Sequence, residues 1–213
     1  MMKERIAIIG SGDLGKSIAH YALGNGYIIA GFYDDFQKAE RVDGIPVLGK
    51  LDSIEVDYKQ NCFDSLVCAI GYNHFDFRET VFKKYYVELG IPFATLIDKS
   101  CHVDASAKIG DGVVMFPTAM VDKGCVIEDN VLLNVGVTIA HDSTVKKHSF
   151  LSPRVAMAGF STIGQRCMIG INSTIIDNIS ICDDVRVGGG NLVIRNIEKP
   201  GLYVGSPVKW IKE

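Results

Sequence analysis

The stretch IEDNVLLNVGVTIAHDSTVKKHSFL, residues 127–151, carries an aliphatic residue at every sixth position. The same register continues in both directions without a slip, and Ile97 extends it upstream. Its sixteen consecutive aliphatic or Met members are Val103, Ile109, Met115, Val121, Ile127, Leu133, Ile139, Val145, Leu151, Met157, Ile163, Ile169, Ile175, Ile181, Val187 and Val193. A period of six fits neither an amphipathic helix nor an alternating strand. It predicts a parallel β-helix, in which three short strands form each coil.

A second series lies four residues after these positions and holds small or β-branched residues. Its members are Ala107, Val113, Ala119, Cys125, Val131, Val137, Ser143, Ser149, Val155, Ser161, Cys167 and Ser173. We expect the aliphatic series to fill the prism and the small series to fit its crowded interior. Three hexads make an 18-residue coil, so residues 103–198 supply about five coils. A β-sandwich would show irregular turn spacing instead.

The repeat also predicts which residues stack on one corner of the prism. Residues 18 apart are expected to lie one strand spacing apart, about 4.8 Å. His141 follows Ile139 by two residues, at a turn position, so its side chain should point outward. Its column holds Lys123, His141, Gly159, Asp177 and Arg195. The glycine one coil along leaves space for a ligand beside the imidazole.

The first half of the chain alternates strand and helix patterns, which predicts a parallel α/β sheet. The predicted strands cover about 5–10, 27–33, 65–70 and 92–97, and the predicted helices run from Gly15 to about Leu23 and over about 75–89.

A glycine-rich loop follows the first predicted strand. Gly10, Gly12 and Gly15 form the pattern GxGxxG, and Asp34 and Asp35 follow about 20 residues later, as in dinucleotide sites. Such glycines let a phosphate approach backbone N–H groups at a helix N-terminus. The available length is too short for a two-half NAD domain, which favours nucleotide phosphate binding without hydride chemistry. NAD binding and a purely structural turn remain the alternatives.

Composition narrows the choice of partners. The 213 residues include 22 Lys+Arg and 25 Asp+Glu, a net charge of −3 that favours neither nucleic acid nor an anionic membrane. No apolar run approaches the roughly 18–20 residues of a membrane span, and MMKERIAIIG is not followed by a signal-peptide cleavage site. The six cysteines form no CxxC pair and are expected to be free thiols. We therefore expect a cytoplasmic protein that does not bind nucleic acid or membranes.

The combination resembles the bacterial sugar acyltransferases of the PglD/NeuD type. The segments that carry the resemblance are Gly10–Lys16, Gly31–Asp35, Ala69–Gly71 followed by Asn73 and Arg78, Ile139–Val145 and Gly205–Lys212. The resemblance implies a Rossmann-like α/β nucleotide-sugar-binding domain over residues 1–97. It implies an all-β left-handed β-helix acetyltransferase domain over residues 98–213. It further implies a homotrimer with active sites between adjacent β-helices and no metal requirement.

The resemblance also implies the reaction, an acetyl-CoA-dependent N-acetylation of a nucleotide-linked amino sugar in bacterial glycan or lipopolysaccharide synthesis. His141 matches the general base, and Asp142 matches the acidic residue that follows it. An ammonium cannot attack a thioester, so an imidazole must take the proton near neutral pH, and a carboxylate can orient that imidazole. O-acetylation of a sugar such as sialic acid and non-catalytic nucleotide-sugar binding remain the alternatives. Metal-dependent hydration would need three converging histidines, and His102 is offset from His141 by 39 residues, which is not a multiple of 18.

The remaining site residues are also implied by the resemblance. The expected acetyl-CoA contacts are Phe150, Gly159, Ile171, Gly189 and Lys209, with Phe150 standing where many members have a second histidine. The expected nucleotide-sugar contacts are Gly12, Asp13, Leu14, Asp34 and Asp35, with Leu14 standing where many members have a histidine. Asn73 and Arg78 are expected either at the nucleotide or on a solvated helix face. A backbone N–H near Gly159 is expected to stabilise the thioester oxyanion.

Overall fold

The computed structural model describes residues 4–212, which divide into two compact units between Leu96 and Ile97. The first unit is an α/β domain. Its strands are β1 (Arg5–Ile9), β2 (Ile28–Tyr33), β3 (Arg41–Val42), β4 (Ile45–Gly49) and β5 (Ser65–Cys68), in the sheet order β3-β4-β2-β1-β5. β1 pairs in parallel with both β2 and β5, and it is an almost fully buried apolar run because both faces of a parallel sheet are covered.

The helices of this unit are α1 (Asp13–Gly24), α2 (Ile54–Lys59) and α3 (Phe75–Phe82), with a 3-10 turn at Leu51–Ser53 and a π-helical turn at Lys83–Glu88. The single helix expected over 75–89 is therefore an α-helix that continues as a π-helical turn. Of the described helices, not one has the length and apolar character needed to cross a membrane.

The sheet differs from the sequence prediction in two places. The hairpin of β3 and β4, which extends the sheet beyond β2, was not predicted. The strand expected over 92–97 is reduced to a bridge between Leu66 and Phe93 and the two-residue strand β6 (Leu96–Ile97), which belongs to a different sheet. Pro92 has no N–H to donate, which limits regular pairing at this point.

The second unit is the predicted left-handed parallel β-helix, which is confirmed. One face holds β7 (His102–Val103), β10 (Met120–Val121), β13 (Thr138–Ile139), β16 (Ala156–Met157), β19 (Thr174–Ile175) and β22 (Leu192–Val193). The next holds β8 (Lys108–Ile109), β11 (Val126–Ile127), β14 (Thr144–Val145), β17 (Thr162–Ile163) and β20 (Ser180–Ile181). The third includes β9 (Val114–Met115), β12 (Leu132–Leu133), β15 (Phe150–Leu151), β18 (Met168–Ile169), β21 (Val185–Val187), β23 (Gly201–Val204) and β24 (Lys209–Lys212).

The strands stack in the predicted 18-residue register. Thr138 pairs with Met120 on one side and with Ala156 on the other, and Ile139 pairs with Val121 and Met157. From Met115 to Val193, every member of the aliphatic series is at most 2% exposed. The register ends at β23, which pairs with β21 at a spacing of 16 residues, and β24 folds back antiparallel on β23.

The small residues of the second series do more than fit a narrow space. The hydroxyl of Ser149 donates to the carbonyl of Gly164 at 2.7 Å and accepts from the backbone N–H of Cys167 at 3.0 Å. Ser143, Ser161 and Ser173 bond in the same way to the carbonyl 15 residues on and the N–H 18 residues on. These buried hydroxyls therefore join each coil to the next at its turns.

We predict that Ser149→Ala lowers the free energy of unfolding by about 1–3 kcal/mol, because it removes both hydrogen bonds of the hydroxyl from buried backbone groups. Ser149→Cys should lower the free energy of unfolding less. A cysteine at this kind of position can still donate, since Cys167 donates to the carbonyl of Cys182, 15 residues on. Urea unfolding measures the difference. Ser180→Ala, at an exposed strand position, is the control and should change stability by no more than about 0.5 kcal/mol. Equal losses in the buried and exposed variants would contradict the bridging role.

Candidate active site

A cavity of about 380 Å³ lies at the carboxyl ends of β1, β2 and β5. The order of the sheet reverses at β1, and such a switch point is where open α/β sheets bind ligands. The lining residues are Ile9, Gly10, Gly12, Tyr33, Asp34, Asp35, Phe36, Leu51, Ala69, Ile70, Gly71, His74 and Phe77. Gly12, Asp34 and Asp35 among the predicted nucleotide contacts therefore border one space, together with the start of α1.

The glycine-rich loop is shaped by close backbone packing. Gly12 caps α1, and Gly15 lies so near the carbonyl of Gly10 that a Cβ there would collide with it. Asp13 is fully exposed and forms an ion pair with Lys16 at 3.5 Å. Leu14 is half-buried, and neither Asp13 nor Leu14 lines the cavity. Their predicted contact with a nucleotide sugar remains a prediction.

Asp34 is held by hydrogen bonds from two neighbouring loops. Its Oδ2 accepts from the backbone N–H and the hydroxyl of Ser11 at 2.9 and 2.7 Å, and its Oδ1 accepts from the N–H groups of Phe36 and Gln37 at 2.9 and 3.2 Å. Four donors occupy the acceptor positions of a carboxylate. Burial by itself raises the pKa of Asp34, but these hydrogen bonds outweigh it and hold the pKa below its usual value. Asp34 therefore joins the loops after β1 and β2, and its predicted contact with a nucleotide sugar remains a prediction.

Asp35 is the acid better placed for a ligand. It is exposed, and its Oδ1 accepts from the backbone N–H of Leu51 at 2.9 Å. Its carboxylate borders both the 380 Å³ cavity and a second one of about 550 Å³, whose lining includes Lys50 and Lys84. An acceptor for hydroxyls thus lies near two ammonium groups that attract phosphate.

Arg78 is neither a nucleotide contact nor part of a solvated helix face. Its guanidinium is 1% exposed and donates to the carbonyls of Cys68 and Ile70 at 3.2 and 2.8 Å, and burial lowers its pKa. It therefore fixes the loop after β5, which forms one wall of the cavity. Asn73 is exposed in the following turn. Sequence reasoning missed His74 and Phe77 in this wall, although they lie within the segment that carries the family resemblance.

His141 and Asp142 form a pair at the turn after β13. Nδ1 of His141 lies 3.1 Å from Oδ2 of Asp142, and the two side chains are 46% and 38% exposed. The backbone of Asp142 is left-handed, with φ of 56°, and its N–H donates to the carbonyl of Lys123 one coil earlier. A Cβ at Gly124 would lie 2.5 Å from Oδ1 of Asp142, so that glycine makes room for the carboxylate. With Nδ1 held, Nε2 is the nitrogen that remains for a substrate.

Gly159, one coil after His141, leaves room for the imidazole as Gly124 does for the carboxylate. A Cβ there would lie 2.7 Å from Cε1 and 2.9 Å from Nε2 of His141. Within the described part of the chain, the N–H of Gly159 makes no hydrogen bond. The buried hydroxyl of Ser143 bonds to the carbonyls of His141 and Ala158, at 3.3 and 3.1 Å. This hydroxyl therefore joins the turn that holds His141 to the turn that holds Gly159, one coil along.

The expected acetyl-CoA contacts fall into separate places. Ile171 is exposed and stacks on Gly189, where a Cβ would lie 2.9 Å from Cγ2 of Ile171. Lys209 begins β24 and lines a cavity of about 330 Å³. Phe150 lies in β15, on a different face of the prism from β13, and is 6% exposed. The structure therefore does not bring Phe150 to His141 within this chain.

His148 does not take the place of the family's second histidine. It is buried, and its Nδ1 lies 3.0 Å from Nδ2 of Asn130 on a different corner from His141. Among the described residues, no group of three or more His, Cys, Asp or Glu side chains is arranged to hold a metal ion.

Comparison with known proteins identifies relatives of both units. Residues 5–85 match the PglD N-terminal domain family. The UDP-3-O-acylglucosamine N-acyltransferase of Bordetella avium (strain 197N) is 35% identical over 101 residues, which make up 46% of this chain and 28% of that protein. The chain thus covers less than a third of the length of the curated relatives it matches.

Solved structures match nearly the whole chain. The acetyltransferase domain of PglB from Neisseria gonorrhoeae FA1090 is 26% identical, with a TM-score of 0.88 over 98% of this chain and 100% of that one. PerB from Caulobacter crescentus, solved in complex with CoA and GDP-perosamine, is 27% identical. Its TM-score is 0.90, and the match covers 97% of this chain and 96% of PerB. The architecture inferred from the hexapeptide series and the glycine-rich loop is thereby confirmed.

We predict that Asp34→Asn destabilises the protein at neutral pH, and that the deficit shrinks as pH falls. A carboxyl whose folded pKa is lowered stabilises the fold above its unfolded pKa, about 3.9, and loses that contribution as pH falls through the folded value. Urea unfolding at pH 7, 5 and 3 measures the difference from wild type. Asp43→Asn, at an exposed turn, is the matched control. Equal stability of wild type and Asp34→Asn at pH 7 would show that Asp34 does not organise these loops.

Proposed function

We propose that the chain is a sugar acyltransferase of the PglD/NeuD type, and that it acts as an acetyl-CoA-dependent N-acetyltransferase of a nucleotide-linked amino sugar. The observation that carries this proposal is the His141–Asp142 pair, half exposed at a corner of the β-helix with the imidazole over Gly159. An amine acceptor is supported by two relatives, one named an N-acyltransferase and one solved with CoA and GDP-perosamine.

His141 acts as the general base in this reaction. The amine lone pair attacks the thioester carbonyl carbon while Nε2 accepts the amine proton. Asp142 holds the opposite ring nitrogen at 3.1 Å, which sets the tautomer and stabilises the imidazolium. When the carbon–sulfur bond breaks, the imidazolium returns the proton to the CoA thiolate. The acetyl group passes directly to the sugar nitrogen, and the base is regenerated.

Backbone groups stabilise the charge that develops on the thioester oxygen. The N–H of Gly159, adjacent to the imidazole, is a donor of the kind an oxyanion requires. Ile171 and Gly189, stacked one coil apart, offer an exposed apolar and backbone track to the pantetheine arm. Lys209 supplies positive charge for a CoA phosphate. Phe150 can contribute only from a separate face of the prism.

The nucleotide is held by the α/β domain. Its phosphates approach the N-terminus of α1 at Gly12, since the first N–H groups of a helix attract anions. Asp35 accepts from ribose or base, while Asp34 and Arg78 keep the surrounding loops in place. Asp13 and Leu14, at the start of α1, lie within reach of a sugar that extends out of the cavity.

We infer that the protein is a cytoplasmic homotrimer that contributes to bacterial glycan or lipopolysaccharide synthesis. Four successive outward positions on the face that precedes the His141 corner are uncharged: Met120, Thr138, Ala156 and Thr174. An exposed uncharged face of this kind is typical of a subunit interface, and threefold closure would bury it. All six cysteines are free thiols, as in proteins of reducing compartments.

Release of CoA thiol from acetyl-CoA tests the function. The acceptors are UDP-, GDP-, dTDP- and CMP-linked 3-amino and 4-amino sugars, assayed with wild type, His141→Ala and Asp142→Asn. We expect release with one amino sugar and a loss of about 10²–10⁴-fold in His141→Ala, because the general base is removed. Release with a hydroxyl sugar alone would indicate O-acetylation. Full activity in His141→Ala, or no release with any acceptor, would contradict the proposal.

Gly159→Ala tests the close fit of the imidazole. The added methyl group must displace His141, and we expect kcat to fall about 10- to 100-fold, since a shift of about 1 Å has effects of this size. The folded structure should persist, because the nearest atoms belong to a movable side chain. Gly24→Ala, where a Cβ would meet nothing within 4 Å, is the control and should retain wild-type kcat. An unchanged kcat in Gly159→Ala would rule out the fit as a requirement.

A further inference from the structure

The turns of the β-helix share one backbone feature, a left-handed residue at every sixth position from 112 to 190. Most of these residues are of types that tolerate a positive φ: Gly112, Gly124, Asn130, Gly136, Asp142, Asn172, Asn178, Asp184 and Gly190. The others are Thr118, His148, Arg154, Phe160 and Arg166. A bulky side chain is unfavourable in this conformation.

In two of these five residues, the side chain contacts the residue 18 positions away, on the same corner of the prism. Arg166 forms two hydrogen bonds of 2.7 Å with Asp184, and His148 lies 3.0 Å from Asn130. Phe160 differs from them. Its own column holds Gly124, Asp142 and Asn178, and its ring instead contacts His141, 19 positions earlier.

The contact between Phe160 and His141 is an edge-to-face pair, with ring centroids 5.0 Å apart and planes at 85°. The Phe160 side chain is 59% exposed, so packing in the core does not explain its presence. The backbone N–H of Phe160 donates to the carbonyl of His141 at 3.1 Å, which fixes the base of the ring relative to the histidine. An exposed aromatic ring in an unfavourable backbone conformation, beside a reactive imidazole, indicates a functional role.

Resting on the proposed function, we propose that Phe160 is a positioning residue for His141. Asp142 holds Nδ1, Gly159 lies against the ring, and Phe160 closes a further side. The imidazole is thereby restricted to one rotamer, with Nε2 presented to the acceptor amine. Acyl transfer then starts from an aligned base, which speeds the chemical step more than it strengthens substrate binding.

Phe160→Asn tests this role. Asn accepts a left-handed backbone, so the variant should melt at or above the wild-type temperature. Its kcat should fall about 10- to 100-fold, while KM for acetyl-CoA and for the amino sugar should each change less than about threefold. Phe160→Tyr keeps the ring and should retain most of the wild-type kcat. Thr118→Asn, at the same hexad position on another corner, is the control and should leave kcat and both KM values unchanged.

The other possible results for Phe160→Asn distinguish positioning of His141 from substrate binding and from a subunit contact. Wild-type kcat in Phe160→Asn would overturn the positioning role. A raised KM with unchanged kcat would assign Phe160 to substrate binding instead, and a smaller native mass in light scattering would assign it to a subunit contact. His141→Ala is assayed alongside. If His141→Ala is inactive while Phe160→Asn is normal, only the inference about Phe160 fails; if His141→Ala is fully active, the proposed function fails as well.

Discussion

Parallel pairing between residues 18 apart is the constraint on which the β-helix and its site depend. Each two-residue strand gains its hydrogen bonds only from the coils before and after it. Buried hydroxyls such as Ser143 extend this pairing into the turns. A one-residue insertion between Lys123 and Gly159 would shift the side chains that follow it relative to those of the preceding coil. The register therefore places a glycine on each side of the His141–Asp142 pair, with Gly124 against the carboxylate and Gly159 against the imidazole.

The strict period explains why so much of this half could be predicted from the sequence. Because each coil has 18 residues, a residue's number gives both its corner of the prism and its coil. The stacking of His141 on Gly159 and of Ile171 on Gly189 could therefore be predicted by counting residues. Counting did not reveal what the side chains do at those positions. The buried serines were expected only to fit the interior, and Phe160 drew no attention, because neither its left-handed backbone nor its ring contact is visible in a hexapeptide pattern.

The α/β domain was less predictable because no period relates its residues. The GxGxxG loop and the acids after β2 indicated a nucleotide site, and a cavity does lie beside them. Which acid is free depends on local hydrogen bonds, and these occupy Asp34 while leaving Asp35 more accessible. Arg78 lies on a helix and is polar, yet it is buried where it satisfies two carbonyl groups after β5. Side-chain direction of this kind depends on tertiary packing.

The proposed reaction has one chemical requirement, an amine delivered to a thioester next to a base whose orientation is fixed. A crystal structure of the protein with CoA and the nucleotide-linked amino sugar that it accepts tests this most directly. We expect the amine nitrogen at hydrogen-bond distance from Nε2 of His141, about 3 Å, with the CoA sulfur beside Gly159. An amine bound away from His141, or a CoA whose sulfur lies on another face of the prism, would contradict the assignment of this corner as the reaction centre.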